Sequence, residues 1–248
     1  MRCTFITLAL IVINHINLFS QCIDVQKIKF GGDYGFVEYI YHCPTYSFAS
    51  NGDTSKNWNI LNNPIAIKQA PSKALEYKKA VEAEIKRYAG LDFYSGLKFV
   101  DVEVVYPERF HEFKGRSDVT QKSCLAKYFY HYQFRPDTTT GYYIGIAVDR
   151  NGRIISPFNF PSKEYYKPIK KSFTYCKLID IARSVEKEID PIKEITFEYD
   201  KLHKRFYWLV SQELVNQKEG VNNINQVRID AANLQDAKPV KAQVTIIY

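Results

Sequence analysis

The chain has 248 residues, of which 25% are charged, 46% hydrophobic and 15% aromatic, with 10 Pro and 11 Gly. That is globular composition, and it excludes intrinsic disorder, collagen and coiled coil. A formal net charge of +7 is a mild excess, which favours anionic surfaces without demanding one. A chain this long buries enough apolar surface to fold without a metal or a disulfide.

The first element is a leader. Met1-Arg2 is followed by an apolar run from Phe5 to Val12 and then by Leu18-Phe19-Ser20-Gln21. A basic start, a short apolar stretch and a small residue predict a secretory signal peptide over residues 1–20, cut after Ser20. Asn14, His15 and Asn17 interrupt the run too early for a membrane span. The expected location is secreted or periplasmic. A lipid anchor on Cys22 is the weaker alternative, since Phe19-Ser20-Gln21 lacks the small residue that such sites carry before the cysteine. No later segment reaches eighteen uninterrupted apolar residues, so no membrane span is expected. Loss of Arg2 with the leader leaves 33 basic against 27 acidic side chains, a net of +6. Cys22, Cys43, Cys124 and Cys176 survive cleavage. An even number permits two disulfides in any of three connectivities. Cys22 with Cys43 would tether the N-terminal arm, and Cys124 with Cys176 would tie the two halves; buried free thiols are the alternative. No C-x-x-C and no zinc spacing occurs, so no metal is expected.

Residues 21–70 form an N-terminal extension. Gly31-Gly32-Asp33-Tyr34-Gly35 reads as a flexible turn, Phe36 to His42 as a strand, and Ser50 to Pro64 as a polar loop. A helix is predicted from Ser72 as N-cap to Ala89, with Tyr77, Val81, Ile85 and Tyr88 as its apolar stripe and Gly90 as its stop. Three strands follow with period-two alternation. Val100, Val102, Val104 and Tyr106 mark the first; Tyr128, Tyr130, Tyr132 and Phe134 the second; Tyr142, Ile144, Ile146 and Val148 the third. The insert from Pro107 to Cys124 interrupts them. Residues 157–171 are a linker rich in Pro and Lys. Thr174 then opens a second helix striped by Leu178, Ile181, Ala182, Val185 and Ile189 and stopped by Pro191. Strands at Ile195 to Tyr199, Phe206 to Val210 and Val227 to Asp230 come next, and Val240, Ala242, Val244 and Ile246 alternate in a further C-terminal strand. The expected fold is α+β: two tandem helix-plus-antiparallel-sheet units, residues 71–156 and 172–248.

Both third strands close on an Asp before a turn, Val148-Asp149-Arg150-Asn151-Gly152 and Ile229-Asp230-Ala231-Ala232-Asn233. An Asp there is expected to bond the backbone that follows it. The second unit resembles a PepSY-type domain, whose final strand ends in a V-x-V-D-A-x-T-G-like turn. Val227-Arg228-Ile229-Asp230-Ala231-Ala232 matches, and Asn233-Leu234 departs from Thr-Gly. The first unit is similar more loosely, and the resemblance covers about 150 residues. It implies a cystatin/PepSY-like fold that restrains peptidases or holds extracytoplasmic partners.

Catalytic patterns are missing from the sequence: no G-x-S-x-G, H-E-x-x-H or P-loop occurs, and no cofactor is expected. His42, His111, His131 and His203 read as structural or solvated, and Asp101 with Glu103 as a solvated strand face. The tyrosines of the second strand read as core rather than as a stacking platform. If Phe129 and His131 face solvent beside Tyr143, that face is the binding candidate. The reading is a non-catalytic binding or inhibitory module whose partner is an extracytoplasmic protein or peptide, met by strand addition at a sheet edge. The alternative is a binder of an anionic polymer (cell wall, lipid headgroup or nucleic acid) through Lys163, Lys167, Lys170 and Lys171. Nucleic acid is the least expected of these, because Lys outnumbers Arg. A third reading is an enzyme using Arg109, His111 and Asp118 of the insert.

Overall fold

The computed structural model describes residues 22–32, 45–52, 64–106, 126–215 and 219–246. The leader, the strand read at Phe36 to His42, most of the Ser50–Pro64 loop, the Pro107–Cys124 insert, Cys43 and Cys124 lie outside them. Among the described residues no helix is long and apolar enough to cross a membrane.

The architecture is α+β; the described residues form two α-helices and one ten-stranded mixed sheet. In chain order the elements are β1 (Ile28–Gly32), β2 (Thr45–Ala49), β3 (Ile65–Ala66), α1 (Ser72–Ser95), β4 (Leu97–Val105), β5 (Tyr128–Phe134), β6 (Tyr142–Val148), α2 (Tyr175–Val185), β7 (Ile192–Asp200), β8 (Arg205–Gln212), β9 (Gly220–Asp230) and β10 (Ala237–Ile246). The sheet runs β10-β9-β8-β7-β1-β6-β5-β4-β2-β3. Each helix is thus followed in the chain by three strands that pair as an antiparallel meander.

β1 joins the two meanders, and this is the main departure from expectation. Ile28, Lys29 and Phe30 pair in parallel with Ile195, Thr196 and Phe197 of β7, and Gly31 and Gly32 with Tyr142 and Tyr143 of β6. The diglycine therefore makes no turn; it is strand. A Cβ on Gly31 would stand 1.7 Å from the Phe197 carbonyl oxygen, so only glycine admits the close approach of β1 to β7. Further bonds hold the segment: Gly31 N–H donates to Gly141 O, Thr140 Oγ1 donates to Lys29 O, and Lys27 Nζ donates to Ile192 O at 2.7 Å.

Cys22 is bonded to Cys176, with Cα atoms 5.4 Å apart. Neither tether read from sequence, Cys22 with Cys43 or Cys124 with Cys176, therefore forms. The same bond occupies the Cys22 sulfur that a lipid thioether would need.

The two helices bury their apolar faces in one core. On α1 Ala74, Val81, Ile85, Ala89 and Phe93 are buried, and on α2 Leu178, Ile179 and Ala182. Pro71, not Ser72, precedes α1, while Thr174 caps α2 by accepting from Lys177 N–H, as its sequence position predicts. Gly90 does interrupt α1, with φ of 86°, a conformation that favours glycine. The chain then makes one more helical turn, which carries Phe93 into the core. From there aromatic rings touch in succession. Phe160 lies 5.1 Å from Phe93, Phe93 4.7 Å from Phe134, and Phe134 5.1 Å from Phe206. Phe206 lies 4.9 Å from Phe197, Phe197 4.8 Å from Trp208, and Trp208 4.6 Å from Phe173. The series crosses from one meander to the other, so the two meanders share this core.

Candidate functional site

The face of β4–β6 turned away from α1 is closed. Tyr128, Tyr130, Tyr132 and Phe134 are core, as their alternation predicts, and Tyr130 Oη donates to Ala74 O on α1. Phe129 and His131 are buried too, so the solvent-facing binding surface considered for them beside Tyr143 does not form: Phe129 packs with Val105, Ala126 and Ala147. A strand whose two faces are both covered carries apolar residues at both phases, and this is why alternation could not assign the second face. Tyr143 is half-buried and stacks on Phe30 with ring centres 5.0 Å apart.

On that closed face His131 Nδ1 lies 2.6 Å from Asp101 Oδ1, its cross-strand partner. Glu103, two residues on, is not the solvated carboxylate that sequence suggests. Burial raises its pKa against the opposing pull of His131, and Asp101 raises it further. Its Oε2 is buried with no hydrogen-bond partner among the described residues. The imidazole is only 4% exposed.

The strap formed by residues 157–171 is pinned through its backbone. Lys163 N–H donates to Tyr88 O, the carbonyl next to the α1 interruption, and Lys170 N–H donates to Ala231 O. The side chains of Lys163, Lys167, Lys170 and Lys171 all remain exposed. Lys204 from the β7–β8 turn lies 4.1 Å over the Tyr165 ring and adds to this basic surface.

The outer face of β8–β10 is open where that of β4–β6 is closed. Phe206, Trp208 and Val210 point into the core, so Arg205 and Tyr207 alternate onto the opposite face, with Arg228 between Val227 and Ile229 on β9. Together with His203, Asp236 and Lys238 they line a cavity of about 300 Å³. Tyr207 forms part of its wall, the Arg228 guanidinium 4.8 Å over its ring and the His203 ring edge-on at 6.1 Å. Arg205 bonds Asp230 at 2.9 Å, Arg228 bonds Asp200 at 2.8 Å, and Lys238 pairs with Asp236 at 3.2 Å. Burial alone would raise the Asp200 carboxyl. Backbone N–H bonds from His203 and Leu202 and the His203 side chain outweigh it and hold the pKa below the ordinary range.

These residues escaped the sequence reading. Arg205, Tyr207 and Arg228 carry a legible signal, since each alternates with core residues on a strand; that Lys238 lies opposite Arg228 depends on register.

Among the described residues β10 stands at one end of the sheet and the two-residue β3 at the other. Asp230 N–H donates to Asp236 O, so residues paired at even numbers of β10 exchange bonds with β9. The backbone groups of Pro239, Lys241, Gln243 and Thr245 then point away from the sheet. Pro239, which has no N–H, falls in that outward phase, as edge prolines do.

Comparison of the chain with protein-family models, curated proteins and solved structures gave no significant match.

Proposed function

We propose that the chain is an exported, non-catalytic binding or inhibitory module built from two PepSY-like helix-plus-meander units, and that it holds an extended segment of an extracytoplasmic protein. The observation that carries this is the β10 edge, where the outward backbone groups of Lys241, Gln243 and Thr245 form a template for strand addition. The unit reading is supported by the shared element order and by the two Asp turns. Asp149 Oδ1 accepts from the N–H groups of Asn151 and Arg153, and Asp230 Oδ1 from those of Ala232 and Asn233. Export is supported by the leader and by a disulfide, which persists in oxidising compartments.

The test is capture from the extracytoplasmic fraction by the mature protein and by its Gln243→Pro variant. Proline at 243 removes an outward N–H and leaves the bonds to β9 intact. A partner retained by wild type and lost by the folded variant supports strand addition. Equal capture by both refutes it. The second reading, an anionic polymer on the strap, is favoured by the exposure of its four lysines; it requires affinity that falls steeply with salt.

A further inference from the structure

Lys238 stands directly opposite Arg228 in the β9–β10 ladder. Like charges facing each other across strands are destabilising, and a local rule broken this way points to a functional demand. Arg228 pairs with Asp200 at 2.8 Å and Lys238 with Asp236 at 3.2 Å, and Asp200 is shared with its own turn, its Oδ1 accepting from the N–H groups of Leu202 and His203. Asp230, the partner of Arg205, is divided in the same way between the guanidinium and the amides of Ala232 and Asn233.

Each guanidinium gives one Nη1 to its carboxylate. The Nε and Nη2 of Arg205 and Arg228 have no acceptor among the described residues, although both side chains are partly buried at the cavity. A guanidinium with a free pair of N–H groups matches an oxyanion in two-point geometry. Arg205 and Arg228 each bring such an edge to the residues that line the cavity, and Lys238 adds an ammonium.

We propose that this cavity is a binding site for a phosphate-bearing ligand, whose oxyanion bridges Arg228 and Lys238 with Arg205 alongside. This deepens the binding-module reading and rests on it, but it moves the anion from the strap to the outer face of β8–β10. A free ester and a lipid headgroup present this same phosphate chemistry.

Titration calorimetry of the mature protein with inorganic pyrophosphate tests the site. Wild type is expected to bind, more weakly as salt rises. Arg228→Gln should lose at least tenfold in affinity, and Lys238→Gln several-fold. The strap variant, in which Lys163, Lys167, Lys170 and Lys171 are all Gln, should bind as wild type does. Pyrophosphate should raise the melting temperature of wild type and not of Arg228→Gln, while ligand-free Lys238→Gln melts no lower than wild type, which separates lost binding from lost fold. Flotation with phosphatidylglycerol vesicles against phosphatidylcholine vesicles distinguishes a headgroup from a soluble ester. No pyrophosphate binding, or binding lost in the strap variant and kept in Arg228→Gln, overturns the proposal. Partner capture through β10 is read independently of either result.

Discussion

A buried carboxyl and a glycine show how much a single position can decide. Because burial holds the Glu103 carboxyl above the ordinary carboxylate range, the folded chain binds that proton more tightly than the unfolded chain does. Stability contributed by this group is therefore present at low pH and falls as pH rises through the ordinary carboxylate range toward the raised value. Glu103→Gln should melt higher than wild type at neutral pH, with the difference closing below about pH 4; thermal melts across pH check this. At Gly31 the added methyl of Gly31→Ala would collide with the Phe197 carbonyl. Such overpacking costs about 3 kcal/mol, to be read from urea denaturation. Neither effect is legible in sequence. Glu103 alternates like any exposed strand residue, and Gly31-Gly32 has the composition of a turn.

Among the elements, β10 makes the sharpest claim, because its phase separates neighbouring residues. Ala242→Pro removes a ladder bond to Ile224 and should cost about 1–3 kcal/mol. Gln243→Pro, one residue on, points its nitrogen outward and should cost well under half of that. Equal losses measured by chemical denaturation would mean that the assigned phase is wrong. The N-terminal segment is the second element with a claim. Its disulfide closes a sequence separation of 154 residues; cross-links of long loops stabilise by about 3–5 kcal/mol. Cys176→Ser should therefore lower stability by about that amount and expose β1 to proteolysis, as mass spectrometry of the first cleavage products would show. Both helices and the strands of each meander were readable from periodicity. β1 was not, because five residues of Ile-Lys-Phe-Gly-Gly carry no alternation and their partners lie more than a hundred positions away.

At the scale of the whole molecule the aromatic series through Phe93, Phe134, Phe206, Phe197 and Trp208 makes the two meanders share one interior. Phe93→Ala should cost about 3–5 kcal/mol, and the unfolding transition should stay single, with circular dichroism and tryptophan fluorescence coincident, since Trp208 lies at the far end of that interior. Two separated transitions would mean that the halves fold independently. Local regularities in the sequence determined the elements. Alternation placed Tyr130 and Trp208 in the core, a 3.6-residue period made α1 and α2, and Asp149 and Asp230 closed their strands through short-range bonds. Tertiary structure alone decided that the N-terminal arm lies at the centre of the sheet, that Phe129 and His131 are covered, that Cys22 meets Cys176, and that Lys238 faces Arg228 beside Tyr207. The physical reason is range: periodicity records which face of an element is apolar, whereas register, pairing partner and the covering of a second face are set by residues far away in the chain.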